Sequence, residues 1–476
     1  MTATMARRSA AKSNSSSDEK GSGGTMLAIF FIALLIPIHP VVAGQRMDPY
    51  RVLLLLLFVP YAISLAKGKA GRFTLADGML FGFAFWIVLT LVKHHGGERF
   101  AYGMILGVEL FGGYMVGRLL IRSSSDYRRF VKYFLTALLV LFPFAFYELK
   151  TGHMVIAEYL GKVFPVSEKF DESRYGLSRV QAVFPHSILY GLFCSVGAAN
   201  AFYLYRERIF RMLPRVGLVT AMTYMSLSSA PLLSIGLQGF IILWGKATGN
   251  RWKLLFWLVS SLYIFLTFAS NRGPIIILIE TLTLNPSTAW WRVYIWQYGI
   301  QNVYANPVFG IGLGNWARPS WLASTVDNFW LLTAMRHGIP GIFLLGGGIA
   351  FNLVSILRVK TLTPEQNNIR TGYMVALVGL LFTLCTVHVW DAMAVFVMFY
   401  VGAGAFLFTT PPEVDKGQVD EAAITRRSTA STGPQRGPDR PATPDRGQSK
   451  PPRTIIRHSR VRSPGVAAQT DLKDDI

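Results

Sequence analysis

Val52-Leu53-Leu54-Leu55-Leu56-Leu57-Phe58-Val59-Pro60-Tyr61-Ala62-Ile63-Ser64-Leu65-Ala66 is an unbroken apolar run, and Lys67-Gly68-Lys69-Ala70-Gly71-Arg72 follows it at once. A helix rises about 1.5 Å per residue, so with the turn before it this run spans the roughly 30 Å of hydrocarbon in a bilayer. Similar blocks recur along the chain, and spans are expected at about 25–43, 50–66, 75–93, 100–121, 130–149, 185–205, 214–229, 231–246, 252–269, 338–358, 371–389 and 391–409. Backbone polar groups in lipid need partners within the protein, which leaves helices or closed barrels. These blocks lack the period-2 alternation of a barrel strand, so the fold class is all-α: a polytopic membrane bundle of about twelve helices. Ser228-Ser229-Ala230-Pro231 is either a tight turn between two short spans or a kink in one long span.

The 476 residues are 51% hydrophobic and 15% charged, with a formal net charge of +21. On a soluble protein that charge would suggest nucleic acid. Here the cations sit in short loops between apolar blocks, where they set topology, and no nucleic-acid partner is expected. Lys67, Lys69 and Arg72 share one loop; Arg118, Arg122, Arg128 and Arg129 a second; Arg206, Arg208, Arg211 and Arg215 a third; Lys246, Arg251 and Lys253 a fourth; Arg358 and Lys360 a fifth. Twelve spans put all five on the side of the N-terminus, which the positive-inside rule makes cytoplasmic. Eleven spans would scatter them across both sides.

Three regions follow. Residues 1–24 are Ser/Gly-rich and basic, a disordered cytoplasmic arm in expectation. Residues 25–409 form the membrane domain, with exported loops at about 150–184 and 270–337. Residues 410–476, rich in Pro, Ser, Thr and Arg, are expected to be a disordered cytoplasmic tail. Cys194 and Cys385 both lie in apolar stretches and give neither a disulfide framework nor a metal set.

The longer exported loop carries an ordered series of motifs. It opens with Ser270-Asn271-Arg272-Gly273-Pro274 and passes through Trp290-Trp291-Arg292-Val293-Tyr294 to Asn306-Pro307-Val308-Phe309-Gly310-Ile311-Gly312. Asp327-Asn328-Phe329-Trp330 and Arg336-His337-Gly338-Ile339-Pro340-Gly341 close it. This series resembles the O-antigen ligase and polysaccharide polymerase superfamily of bacterial envelopes. Members share an Arg-Gly at a span end, a further Arg, an Asn-Pro-x-x-Gly-x-Gly turn, a His-Asn pair and a Gly-Ile-Pro-Gly helix start.

The resemblance implies metal-independent glycosyl transfer at the outer face of the bacterial inner membrane, with no cofactor; the twelve spans and the loop charge put both termini in the cytoplasm. A glycan on a polyprenyl diphosphate lipid would pass to an acceptor hydroxyl. Arg272 and Arg292 are the positions to stabilise the departing diphosphate, because a guanidinium fork binds phosphate oxygens in pairs. No exported Asp-x-Asp triad or His/Cys cluster suggests a metal clamp. Arg272 can otherwise be a snorkelling helix-end arginine. Asp327 stands where the family has His and would engage the acceptor hydroxyl as base, oriented by Asn328. Its alternative role is to cap the helix that follows.

The shorter loop adds Arg174 and Arg179 as anion contacts. His186 at the next span entry is a sugar contact, a proton carrier or a structural imidazole. Trp291 and its aromatic neighbours can stack on sugar rings or form an interfacial belt. Glu109, deep in an apolar span, calls for a cavity or a partner, either as a structural pair with an arginine or in a catalytic role, and Gly346-Gly347-Gly348 would permit close helix packing.

Three functions compete. A polymerase joining lipid-linked repeat units of an exopolysaccharide leads; a ligase moving finished glycan to another acceptor is second. The third is a non-enzymatic transporter, disfavoured because the candidate residues cluster in one exported loop and no internal repeat is evident. The expected partners are the polyprenyl-diphosphate-linked oligosaccharide and membrane lipid. A chain-length regulator or flippase of the same pathway is a further candidate partner.

Overall fold

The long apolar blocks are helices, and sheet is confined to two two-stranded hairpins. The computed structural model describes residues 23–170, 172–249, 251–270, 277 and 286–410, all within one unit spanning Met1–Asp415. In order these give α1 (Gly23–Leu35), a hairpin of β1 (Val41–Val42) and β2 (Gln45–Arg46), α2 (Pro49–Ala66), α3 (Leu75–His95) and α4 (Phe100–Leu120). Next come α5 (Ser124–Thr151), α6 (Val155–Leu160), a hairpin of β3 (Ser173–Arg174) and β4 (Leu177–Ser178), α7 (Ser187–Ser195), α8 (Gly197–Tyr205) and α9 (Ile209–Met225). Then follow α10 (Ser229–Thr248), α11 (Trp252–Ala269), α12 (Pro286–Ala305), α13 (Phe329–Arg358), α14 (Pro364–Thr383), α15 (Asp391–Ala403) and α16 (Phe406–Thr409).

Nine helical segments among the described residues are long and apolar enough to cross a membrane. They are α2, α3, α4 with the turn before it, α5, α7–α8, α10, α11, α13 and α15–α16. The exposure of α11 is the plainest sign of lipid. None of its residues is buried, and Phe256, Trp257, Phe265 and Phe268 all face outward. An apolar surface of that extent is unstable in water.

The segments expected at 25–43, 214–229 and 371–389 are helical only in part. α1 stops at Leu35, before Pro37 and Pro40, and residues 41–46 turn back as a hairpin. α9 is 17 residues long and carries Arg211 and Arg215 in its first turns. α14 begins at Pro364, behind a Thr363 capping box, and ends at Thr383. Ser226-Leu227-Ser228 makes a tight turn between separate helices α9 and α10, with Leu227 at φ 44°.

The helix ends fall into two sets. At one end, Arg72 reaches Thr409 and Arg128 pairs with Glu365. At the other end, His39 bonds Ser167, Arg46 pairs with Asp391, Arg174 bonds the Leu227 carbonyl, and Leu313 bonds His95. Packing between the ends uses small residues. A Cβ on Gly113 would lie 2.7 Å from the Val395 carbonyl, and one on Gly117 would strike the Phe399 carbonyl, so α4 and α15 meet backbone to backbone. Gly347 and Gly348 of the expected triplet admit Met79 and Leu80 of α3, while Gly346 faces open space.

Candidate functional site

Glu148, near the end of α5, organises the loop that follows. Its two carboxylate oxygens accept hydrogen bonds from the backbone N–H groups of Gln181 and Ala182, each at 2.9 Å. That anchor holds Ala182 at φ 54° and fixes the chain just after Arg179. Upstream, Tyr175 and Gly176 both adopt positive φ, which closes β3 and β4 through a tight two-residue turn. Arg174 therefore projects from the hairpin and donates to the Leu227 carbonyl at 2.9 Å. Arg179 donates to Ser228 Oγ at 2.7 Å and ion-pairs with Glu172.

The longer loop is tied down by its own motifs. Gly338 breaks α13 at φ 69°, and Pro340 has no N–H to offer the preceding turn. The carbonyls freed by the break are taken by the glycine turn: Ile311 N–H bonds Met335 O at 2.8 Å and Gly312 N–H bonds Arg336 O at 3.0 Å. Ile339 N–H returns to Pro307 O at 2.7 Å. A side chain at Gly338 would collide with the Val308 carbonyl, so only glycine lets the two motifs interlock. Asn302 of α12 brackets Ala317, and Trp316 Nε1 donates to Ser324 O at 2.9 Å. These bonds carry residues 315–326 back toward α12.

The two loops enclose a cavity of about 290 Å³. Its lining includes Arg174, Arg179, His186, Trp291, Arg292 and Asp327. Three guanidiniums thus face the carboxylates of Glu172 and Asp327. Arg292 Nε is buried without a hydrogen-bond partner. Burial lowers the Arg292 pKa, Asp327 opposes that shift, and Arg174 adds to it. The Asp327 carboxyl is raised above its ordinary value by the crowding protein walls, against the pull of Arg292. Among the described residues it accepts no hydrogen bond, so its oxygens are free for a ligand.

His186 caps α7: its Nδ1 accepts from the Ile188 N–H at 3.1 Å. Burial, with Arg179 and Arg174 nearby, pushes its pKa down to about 4, so the ring is neutral at pH 7. The proton then sits on Nε2, which gives His186 a hydrogen-bond donor to offer. Trp291 stands beside Trp321 with ring centroids 6.0 Å apart.

Asn328, not Asp327, caps α13; its Oδ1 accepts the Leu331 N–H at 2.9 Å. The capping role expected for Asp327 therefore belongs to its neighbour, and the Asn328 side chain is committed to the helix. Arg272 lies outside the described residues. Glu109 has its partner: Arg51 Nε donates to it at 2.7 Å. Glu172 and Ser228, which line the cavity, were not foreseen; a carboxylate two residues before Arg174 in a hairpin was the available signal for the first. Arg118 was expected in a loop but is buried inside α4, paired with Asp77. No protein-family model matches the chain, and no curated protein sequence matches it. The functional reading rests on the site.

Proposed function

We propose that this chain is a glycosyltransferase that joins polyprenyl-diphosphate-linked glycans at the outer face of a bacterial inner membrane, and that it acts as a polysaccharide polymerase. The observation that carries the reading is the cavity in which Arg174, Arg179 and Arg292 converge beside an uncommitted Asp327. Guanidinium charge around a carboxylate suits a reaction in which a proton leaves one oxygen while negative charge gathers on another.

In this mechanism the acceptor hydroxyl oxygen attacks the anomeric carbon of the donor glycan. The bond from that carbon to the diphosphate oxygen breaks, and its electron pair leaves with the polyprenyl diphosphate. Asp327 takes the hydroxyl proton. Arg292 and Arg174 meet the departing oxyanions, with Arg272 as a further candidate from the same loop. His186 Nε2–H and Trp291 orient the sugars. The long-range assignment is twelve spans, formed by the nine apolar segments together with α1, α9 and α14. Lys67, Lys69, Arg72, Arg206, Arg208, Arg358 and Lys360 fall in the short connections between these spans, and the positive-inside rule favours a cytoplasmic side for those connections. Both termini then lie inside.

Turnover of a defined lipid-linked repeat by purified protein tests the reading, with Arg292→Ala and Asp327→Asn beside the native chain. New glycosidic bonds in the native reaction alone are the expected result. Transport of the lipid-linked sugar across liposomes without bond formation would replace the enzyme by a transporter. A strain lacking the protein separates polymerase from ligase: single repeats accumulating on the carrier mark a polymerase, and full-length polymer left on the carrier marks a ligase. The altered His-Asn position, Asp327-Asn328 here, favours the polymerase.

A further inference from the structure

A second and larger cavity, about 460 Å³, lies at the same end of the helices as the first. Four arginines line it, Arg46, Arg51, Arg99 and Arg336, against two carboxylates, Glu109 and Asp391. Two of the arginines are already spoken for. Arg51 is paired with Glu109 at 2.7 Å, and Arg46 bridges Asp48 at 2.9 Å and Asp391 at 3.1 Å. Arg99 and Arg336 have no ion pair or side-chain hydrogen bond among the described residues. His388, in the same wall, buries its Nδ1 without a partner. A buried polar atom is rarely left unmet in a finished fold, so His388 Nδ1 in this wall reads as awaiting a ligand.

The charge left over defines the ligand. Two guanidiniums without a carboxylate partner match the two negative charges of a diphosphate diester, and guanidinium forks favour phosphate oxygens. Beneath the arginines the wall turns apolar through Phe83, Ile87, Leu106 and Leu110, a surface suited to a hydrocarbon tail.

The two cavities share a partition. His186 of the first stands edge-on to Trp390 of the second at 6.2 Å. Trp390 stacks on His388 at 5.8 Å, and His388 on Phe329 at 6.1 Å. Phe329 lies two residues beyond Asp327, so one helix start serves both chambers. The hairpins that line the two cavities are also built alike. β1 and β2 close through Ala43 and Gly44, both at positive φ, and present Arg46, as β3 and β4 close through Tyr175 and Gly176 and present Arg174. Asp391 is held at φ 52°, a strained position for a non-glycine residue, with its carboxylate on Arg46.

We propose that the second cavity holds the diphosphate of a second lipid-linked glycan, the acceptor, while the first cavity holds the donor. The assignment of roles rests on the transferase reading above; the binding site does not. A polymerase has this need, because donor and acceptor both arrive on diphosphate lipids, and a ligase with a different acceptor does not.

The test is a calorimetric titration of the full chain in detergent micelles with geranylgeranyl diphosphate. The native protein is expected to take two equivalents. Arg99→Ala/Arg336→Ala is expected to take one, and so is Arg292→Ala. Arg99 is exposed, so Arg99→Ala alone, with at least a several-fold weaker second equivalent, guards against a folding defect in the double variant. One equivalent on the native chain, or two on the double variant, overturns the second site. Two equivalents on Arg292→Ala with one on the double variant would instead overturn the first cavity's assignment and leave the second standing. Inorganic pyrophosphate is expected to compete at least tenfold more weakly, because it lacks the tail; equal affinity would overturn a lipid-linked ligand. Displacement of the second equivalent by phosphatidylglycerol at equal concentration would overturn a diphosphate.

Discussion

Arg118 and Arg292 are both arginines taken out of water, at opposite ends of the helices, and their surroundings differ in kind. Arg118 has every N–H used. Its Nε and Nη2 reach the two oxygens of Asp77 at 3.0 and 3.1 Å, Nη1 bonds Ala70 O at 2.6 Å and Thr409 Oγ1 at 3.0 Å, and Nη2 bonds Arg72 O at 3.0 Å. Asp77 is as fully engaged, accepting from Tyr114 at 2.7 Å and from Thr74 N–H at 2.7 Å. Arg292 sits in a cavity with a buried Nε unmet, beside a carboxylate that no described residue bonds. The first arrangement has nothing left to offer a ligand, and the second is incomplete without one. Saturation suits a staple, and an unmet donor beside an unbonded carboxylate suits a site.

The largest effect is expected from breaking the staple. Arg118→Met leaves Asp77 charged and buried, which costs about 3–5 kcal/mol. The protein should largely disappear from the membrane fraction, as read by immunoblot. Arg118→Met/Asp77→Leu should recover a good part of the loss, because no unpaired charge remains. A single variant that accumulates normally would show that the four segments meeting at Arg118 hold without it.

Next come the cavity residues, whose loss should act on turnover and spare accumulation. Arg292→Ala should lower kcat by about 10²–10³-fold, the range for a lost oxyanion contact, with an unchanged melting temperature. Asp327→Asn should cost about 10²-fold or more. The pH profile separates the two. Asp327 acts as base only when ionised, so activity should fall as the pH drops through its raised pKa. Arg292→Ala should move that acid limb upward, because the arginine now holds the pKa down. In Asp327→Asn the limb should vanish from whatever activity remains. A limb that survives in Asp327→Asn would assign the proton to another group.

How far these two regions were readable beforehand follows from how local each one is. The apolar blocks announce spans, because twenty apolar residues have few other fates. The Asn-Pro-x-x-Gly-x-Gly and Gly-Ile-Pro-Gly segments are equally legible as motifs. Their physical task, to satisfy each other's backbone at the Gly338 break, needs the fold, since the partners lie on separate elements. Arg118 looked like a loop cation because its partner Asp77 is 41 residues away at the start of another helix. The second cavity draws Arg46, Arg99, Arg336 and His388 from four distant segments and forms no contiguous pattern. One clue was present: Arg51 and Glu109 are opposite charges in two apolar spans, which have strong reason to find each other.

A smaller effect is expected where the cavity is held from behind. Glu148 touches no ligand-facing group, but its carboxylate accepts both the Gln181 and Ala182 N–H groups, and so positions Arg179. Glu148→Gln keeps one acceptor and presents an NH₂ group to the other N–H. One lost bond of this kind costs about 1–3 kcal/mol. The melting temperature should fall by a few degrees. KM should rise more than kcat falls, since the lost bond loosens the loop that lines the cavity and leaves Asp327 untouched. A kcat loss equal to that of Asp327→Asn would place Glu148 in the chemistry itself.

The smallest effect is expected at Asn328, and it tests the line between staple and site at their closest approach. Asn328 is next to Asp327, yet its Oδ1 is occupied by the Leu331 N–H. By the criterion of saturation it belongs with Arg118. Asn328→Ser keeps a side-chain oxygen at the cap and should leave both turnover and melting close to native, within about 0.5 kcal/mol. Asn328→Ala removes the cap and should cost about 1 kcal/mol of stability, again with turnover close to native per folded molecule. If Asn328 instead oriented the acceptor, serine would be too short to replace it, and turnover would fall with the helix intact. A stable, inactive Asn328→Ser would therefore break the rule that a satisfied side chain is not a functional one.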